Sequence, residues 1–507
     1  DEIQTHRASI ASIDVEVQAL SHQIGRLNAR KAHYLDLISK CRGKITLARR
    51  APDEVLAHIF EHCVRGGWTK APLVVSQVCA KWRQAASAPS VWAHVHLSSD
   101  NLDPVGKMRF WLSKAREAPL HISVDIAAVD LHFIHAFDLL LDRVAQWRAF
   151  SLTTRVTRFA NVVLARCTHS APRLTTLTVD TSLDPGIDET DEEWELSALQ
   201  TAFPHSSDLH TVHIISNKFP PTIPTQVHDL TLELTNLDSA EDPSPLLNML
   251  QSLSSLRSLT IITPFNYTDT FTVSEDQSHR SPATLAVLEN LTLNSHRDFT
   301  ELLHHIETPS LRTLNLRSVQ DPQNFPHAPT GAAILSLLQR CSPPLVNLVL
   351  HDVDLPGSDF VSCFKLLPHL ETLHLHETEV ADEVFGTLKG PHGLCPKLKS
   401  LDLRWCEQLA GQTLVDLVSS RVSTGVDSPT GRRSCPIEKI RVINCAVVKE
   451  SDVLELARTT VCIVVEDPWD YCRTKGCCHN ARYRQRLHLR HIGDLEGQGG
   501  TPLHLIL

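Results

Sequence analysis

In Cys395-Pro396-Lys397-Leu398-Lys399-Ser400-Leu401-Asp402-Leu403-Arg404-Trp405-Cys406, three leucines follow the spacing Leu-x-x-Leu-x-Leu, with a proline two residues before the first and a cysteine at the close. Alternate residues of a strand point to opposite faces, so Leu401 and Leu403 share one face and Ser400, Asp402 and Arg404 the other. Cys435-Pro436-Ile437-Glu438-Lys439-Ile440-Arg441-Val442-Ile443-Asn444-Cys445 repeats the pattern. After each copy, Thr413–Val418 and Asp452–Ala457 show helical apolar spacing. A unit of strand, turn, helix and return cannot bury its own apolar faces, so such units are stable only when stacked.

Working outward, aliphatic triplets with this spacing start at Leu174, Leu209, Val227, Leu256, Leu288, Leu311, Leu345, Leu370, Leu398 and Ile437, and Trp147-x-x-Phe150-x-Leu152 reads as an earlier one. Most starts lie twenty to forty residues apart. Bare triplets are cheap, but the proline two residues before the first aliphatic recurs at Pro172, Pro309, Pro343, Pro368 and Pro396, where chance predicts roughly one. Polar, mostly Pro- and Asp-rich insertions at Ser182–Glu195, Leu237–Pro245, Asn266–Pro282, Gln320–Thr330 and Arg421–Arg433 read as loops that make the array irregular.

Upstream the pattern changes. Ile10, Ile13, Val17, Leu20, Ile24 and Leu27 alternate steps of three and four, as in a heptad, with Lys31 interrupting before Tyr34 and Ile38 resume it. Residues 1–45 therefore read either as a short coiled coil that forms a homodimer or as one amphipathic helix folded back on its own domain. A helix then starts near Pro52, with Asp53 and Glu54 at the positive end of its dipole and Leu56, Ile59, Phe60 and Cys63 on one face, and Gly66-Gly67 ends it. Pro72 opens a second helix with a stripe of Val75, Val78, Cys79 and Trp82. Pro89 closes it, and Ser90-Val91-Trp92 begins a third short element. Three short helices make a thin core, so this cassette should lean on a neighbour.

The cassette resembles the F-box. Ala51-Pro52-Asp53-Glu54-Val55-Leu56-Ala57-His58-Ile59-Phe60, Val78-Cys79-Ala80-Lys81-Trp82-Arg83 and Pro89-Ser90-Val91-Trp92 carry its three blocks in order, with Ala51 where leucine is usual. The repeats resemble cysteine-containing leucine-rich repeats, best between about residues 340 and 460. The resemblance implies an α/β protein: an N-terminal helix and a three-helix F-box, followed by an irregular, curved leucine-rich-repeat solenoid of parallel strands. The expected boundaries are 1–45 for the helix or coiled coil, 46–98 for the F-box, 99–146 for a linker, 147–465 for the solenoid and 466–507 for a tail. It implies a substrate-recognition subunit of an SCF-type ubiquitin ligase, docking a Skp-type adaptor, and through it a cullin, by Pro52, Leu56, Ile59, Phe60, Val78, Trp82 and Trp92. Trp82 and Trp92 read equally well as helical core. The alternative is a repeat scaffold outside any ligase.

A protein client would meet the outward residues of the strands: Asn315, Arg317, His351, His374, His376, Asp402, Arg404 and Arg441. This ladder leans cationic and His-rich, which suits an acidic or phosphorylated peptide. It also reads as an ordinary solvated face. The 507 residues carry 42% hydrophobic and 21% charged residues and a net charge of -10, a globular composition without the basic excess that nucleic acid or an anionic membrane surface calls for. No apolar run approaches the roughly 20 residues of a membrane span, and no signal peptide opens the sequence. The 14 cysteines are scattered, so free thiols and a cytoplasmic or nuclear setting are expected. No nucleotide-binding loop, nucleophile elbow or metalloprotease motif is present, so no enzyme, cofactor or metal site is expected. Cys472, Cys477, Cys478, His479, His488 and His491 are loosely zinc-like, within what reads as a partly disordered tail.

Overall fold

The computed structural model of the chain describes residues 1–45, 50–182, 195–234, 244–263, 282–295, 302–318, 328–353, 355–406, 408–422, 434–443, 445 and 447–465. Most of the polar insertions and the whole of the Cys/His-rich tail lie outside these residues. The chain forms two compact units, one of residues 1–96 with 106–120, the other of residues 97–105 with 121 onward.

The first unit opens with helix α1 (Glu2–Ile45). Ile10, Ile13, Val17, Leu20, Ile24 and Leu27 are each more than half exposed, so no described part of the chain covers the heptad seam, and the helix is not folded back on its own domain. Helix α2 (Asp53–Arg65) follows, with Asp53 and Glu54 in its first turn, His62 and Arg65 in its last, and Gly67 at φ 96° just beyond its end. The second helix read from the sequence is in fact two, α3 (Ala71–Val78) and α4 (Ala80–Ala85), divided where Cys79 adopts an extended backbone at φ −159°. Neither Pro nor Gly marks that break. Because of it, Val75 is buried while Val78 is exposed, although both lie on the single stripe read from the sequence.

Leu56, Phe60, Val64, Val75, Ala85, Val91 and Trp92 form the core of this unit. Phe60 and Trp82 rings stand 5.1 Å apart, and the indole N–H of Trp92 donates to the Ala86 carbonyl at 2.6 Å. The helix Pro104–Ala115 completes the core: Met108 and Trp111 are buried, and Trp92 meets Phe110 and Trp111 edge-on at 5.5 and 5.2 Å. This answers the thin core of the cassette. The helix Pro104–Ala115, within the stretch 99–146 read as a linker, supplies its missing wall.

The second unit is a stack of strands. One sheet runs through fourteen strands in sequence order: β1 (His94–Ser98), β2 (Leu120–Ile126), β3 (Trp147–Thr154), β4 (Thr176–Asp180), β5 (Thr211–Ser216), β6 (Asp229–Leu234), β7 (Ser258–Ile262), β8 (Asn290–Ser295), β9 (Thr313–Ser318), β10 (Asn347–His351), β11 (Thr372–His376), β12 (Ser400–Arg404), β13 (Lys439–Ile443) and β14 (Val461–Val465). The division between the two units falls within β1 and at the start of β2. From β3 onward each ladder is parallel, and equivalent positions pair: Leu348 with Leu373, Leu373 with Leu401, Leu401 with Ile440. Every aliphatic triplet read from the sequence ends in one of these strands with its members buried. The sheet also begins earlier than residue 147, because β2 buries Leu120, Ile122, Val124 and Ile126 by plain alternation without the triplet spacing.

The recurrent proline has a mechanical role. In Ala171-Pro172-Arg173-Leu174, Thr308-Pro309-Ser310-Leu311, Leu367-Pro368-His369-Leu370 and Cys395-Pro396-Lys397-Leu398, the leucine N–H donates to the carbonyl three residues back, at 3.0 to 3.3 Å. Proline presets φ for the second residue of such a turn, which delivers the chain to each new strand. At the other end of the strands a side-chain donor ties neighbouring turns together. Thr154 Oγ1 donates to the Ile126 carbonyl at 2.9 Å, Thr378 Oγ1 to Leu350 at 3.4 Å, Cys406 Sγ to Leu375 at 3.4 Å and Cys445 Sγ to Leu403 at 3.6 Å.

Return helices sit behind the strands, including Ala328–Cys341, Gly357–Lys365, Asp382–Gly386, Gly411–Val422 and Glu450–Leu456, and consecutive ones pack on each other. Arg421, read as the start of an insertion, instead closes the helix Gly411–Val422 and is 1% exposed. Its guanidinium donates to the carbonyls of Leu388 (2.9 Å), Leu394 (2.8 Å), Cys395 (3.3 Å) and Leu398 (3.3 Å), which tie down an irregular return segment. Removing a buried donor strands its acceptors. Arg421→Met should therefore lower the opening free energy of residues 388–398 by about 3 kcal/mol, read as roughly a hundredfold loss of hydrogen-exchange protection there. Unchanged protection would show that these carbonyls find other donors.

Candidate functional site

Two surfaces stand out, one in each unit. In the first, α2 and α3 pack on each other, and each leaves aliphatic side chains one turn apart outside the core: Val55 (46% exposed) and Ile59 (49%) on α2, Val74 (44%) and Val78 (57%) on α3. Trp68, between the helices in sequence, is 47% exposed. A domain this small with this much bare aliphatic surface is built to be covered. The seven residues named for adaptor docking divide accordingly. Pro52, Ile59 and Val78 are exposed, Trp82 is half-buried, and Leu56, Phe60 and Trp92 belong to the core. Val55, Val74 and Trp68 were not singled out from the sequence. Helical spacing relative to the buried Leu56 and Val75 is the signal that would have found the two valines.

The second surface is the outward face of the strands. In-register pairing aligns its residues into two rows. One runs Arg317, His351, His376, Arg404, and the other Asn315, Val349, His374, Asp402, Arg441. All eight residues named for client contact therefore lie on five neighbouring strands. Toward the start of the sheet the same face is largely hydroxyl- and amide-bearing: Thr176 and Thr178, Thr211 and His213, Asp229 and Thr231, Ser258 and Thr260, Asn290 and Thr292. The cations are thus gathered at one end of the array.

Those cations are not bare. Asp402 is 3% exposed and accepts a forked pair from Arg404 (Nε at 2.9 Å, Nη2 at 3.0 Å) and a further bond from Arg441 Nη1 at 2.8 Å. His376 Nε2 stands 3.8 Å from the same carboxylate. Burial works to raise the Asp402 carboxyl, but His376, Arg404 and Arg441 outweigh it and hold it well below the usual carboxylate range. Asp402 thus acts as the anchor that aims two guanidiniums, and it is not itself a contact surface. Burial first, and then His376, Arg404 and Arg441, keep His374 below its ordinary value, against the pull of Asp402.

One step along, His351 Nε2 lies 3.6 Å from Asp352 and 3.8 Å from Glu377. Both acids are 3% exposed and follow directly on their strands with positive φ, 56° and 54°. Sequence reading missed them, since nothing in their identity marks a left-handed turn that tucks a carboxylate under the face. A cavity of about 360 Å³ opens here, lined among others by Asn315, Arg317, His351, His376, Glu377 and Arg404. His374, His376 and Asp402, and likewise His351, Asp352 and Glu377, bring metal-ligand donors within 4.8 Å of one another. In the first group the carboxylate already serves two guanidiniums, which occupy the place a cation would take.

The depressed carboxyl makes a pH statement. Asp402 ionises near pH ~4 in an unfolded chain and only at lower pH when folded. Its contribution to stability is complete above that unfolded value and drains away as pH falls below it. Thermal midpoints of the wild type and Asp402→Asn should therefore differ most at neutral pH, and the gap should narrow progressively as pH falls below about 4. A gap that stays constant with pH would show that the ion pairs contribute nothing there.

No curated protein matches the chain. Among the solved structures that match the chain, two illustrate how distant the likeness is. The Rad7–Elc1 complex from yeast aligns with 13% identity over 84% of this chain and 96% of that one, at a TM-score of 0.29. The complex of TLR13 with ssRNA13 aligns with 12% identity over 70% of this chain and 64% of that one, at 0.24. At those scores neither likeness bears on fold or function. A family match does coincide with the helices built above: the family model described as F-box-like matches residues 52–98, from the turn before α2 through β1. These residues form an F-box-like domain.

Proposed function

We propose that this chain is the substrate-recognition subunit of an SCF-type ubiquitin ligase, docking a Skp-type adaptor, and through it a cullin, by the F-box-like domain, and holding a protein client on the strand face. The observation that carries the reading is the exposed aliphatic surface of α2 and α3 inside a domain that matches the F-box-like family. Ile59 and Val78, with Val55 and Val74 beside them in sequence, would supply the buried contacts of the adaptor interface. Phe60, Leu56 and Trp92 act indirectly, by holding those helices in place.

The client face would take an extended acidic segment along the row Arg317, His351, His376, Arg404. Arg404 and Arg441 on that face are already paired with Asp402, while Asp352 and Glu377 lie beside His351. In this reading the chain performs no bond chemistry. It works as a receptor in the cytoplasm or nucleus, with Cys406 and Cys445 as working thiols at the turns.

Ile59→Asp combined with Val78→Asp places charge in the proposed interface without touching the core. Affinity for a purified Skp-type adaptor should fall roughly hundredfold or more, with unchanged far-ultraviolet circular dichroism. Phe60→Ala is a poorer probe because it opens the core. If the wild-type chain fails to bind the adaptor, or the double variant binds equally well, the ligase reading fails and a repeat scaffold outside any ligase is the better account.

A further inference from the structure

The bare seam of α1 calls for a partner helix, and its sequence says which one. Numbered as heptads, the a positions are Ile3, Ile10, Val17, Ile24, Lys31 and Ile38, and the d positions include Ile13, Leu20, Leu27 and Tyr34. A narrow apolar stripe repeating every seven residues is the seam of a coiled coil. From Ile3 to Ile38 this seam stays exposed, with Tyr34 and Ile38 each 48% exposed. The second strand therefore comes from outside the chain.

Charge decides its direction. The first half of α1 holds Asp1, Glu2, Asp14 and Glu16 against Arg7, while the second half holds Arg26, Arg30, Lys31, Lys40, Arg42 and Lys44 against Asp36. A parallel pair lays like against like over both halves, closer than the Debye length of about 8 Å at physiological salt. In that register each g position meets the following e position of the other helix, so Glu16 faces Ser21 and Arg30 faces Leu35, and Glu2 with Arg7 near the start is the one opposite-charge combination. An antiparallel pair with Ile24 of one helix against Leu20 of the other sets every a position against a d position. It also brings Glu16 across from Arg30 twice, by symmetry. Lys31, the one charge in the seam, then lies against Ile13 of the second helix, with Asp14 and Glu16 flanking it. Arg30 is already held beside the seam by its own Tyr34, to which it donates at 3.3 Å.

We infer that α1 is a self-association element in which two copies of this chain pair antiparallel through their Ile/Leu seams, with Glu16 of each copy meeting Arg30 of the other. The arrangement is independent of adaptor docking. It would hold two strand faces in one particle whether or not the chain serves a ligase.

The test is sedimentation equilibrium on the full chain. The wild type should be a dimer that weakens as salt rises from low levels to about 1 M. Glu16→Lys and Arg30→Glu should each weaken the dimer roughly tenfold, since each turns two attractive pairs into repulsive ones. The two changes in one chain should restore it. Both positions are solvent-exposed, so helix content by circular dichroism should not change. A monomer at tens of micromolar, a dimer that tightens with salt, or a double variant no better than the singles would each overturn the proposal, and the last two outcomes would indicate parallel pairing.

Discussion

The inner strands of the large sheet bury their aliphatic pairs between the strands before and after them, with the return helices behind. Leu373 and Leu375 are wholly buried because Leu348 and Leu350 lie on one side and Leu401 and Leu403 on the other, in the same register. A shift by one residue would turn each pair to solvent, so the buried face fixes the register and the register fixes everything on the opposite face. The polar links at the strand ends, from Thr154 to Cys445, depend on the same alignment, because each reaches the last buried residue of a neighbouring strand. Stability of this kind comes from neighbours and is summed along the stack.

The alignment has a chemical consequence. Residues far apart in sequence, such as Arg317 and Arg404, fall into one row with two histidines between them. The same geometry draws Asp402 between Arg404 and Arg441, at the level of His374, and places Asp352 and Glu377 beneath His351. What a list of outward residues presents as a cationic ladder is therefore a network in which Arg404 and Arg441 already share the Asp402 carboxylate. The His351 and His376 rings meet edge-on at 5.4 Å.

In the small domain the constraint is different. Its short helices bury few residues, so its core is closed by Trp111 and Met108 from beyond the cassette, and its aliphatic excess remains on the surface. A fold with a thin core and a bare face keeps its shape through a few aromatic contacts, Phe60 with Trp82 and Trp92 with Trp111, and leaves the rest of its apolar surface for association. Binding and folding share residues here, which is why a motif that specifies both does not say which residue does which.

Local pattern was enough for the strands of the repeats and their inward faces, because burial in a stack imposes a spacing that can be read residue by residue, and a proline that starts each turn marks the spacing further. It also determined the α1 seam, since a heptad is visible wherever it occurs. It did not determine where α3 ends, because the extended Cys79 follows an unbroken apolar stripe and no Pro or Gly marks the break. It did not reveal β1 and β2, whose burial uses alternation without the triplet. Nor could it tell Ile59 from Phe60, one position apart on α2, as surface and core. The role of Asp402, named as a contact and found as an anchor, and the presence of Asp352 and Glu377 were decided only by tertiary structure. Charge pairing acts across strands whose closeness is set by the whole stack, and no local pattern records it.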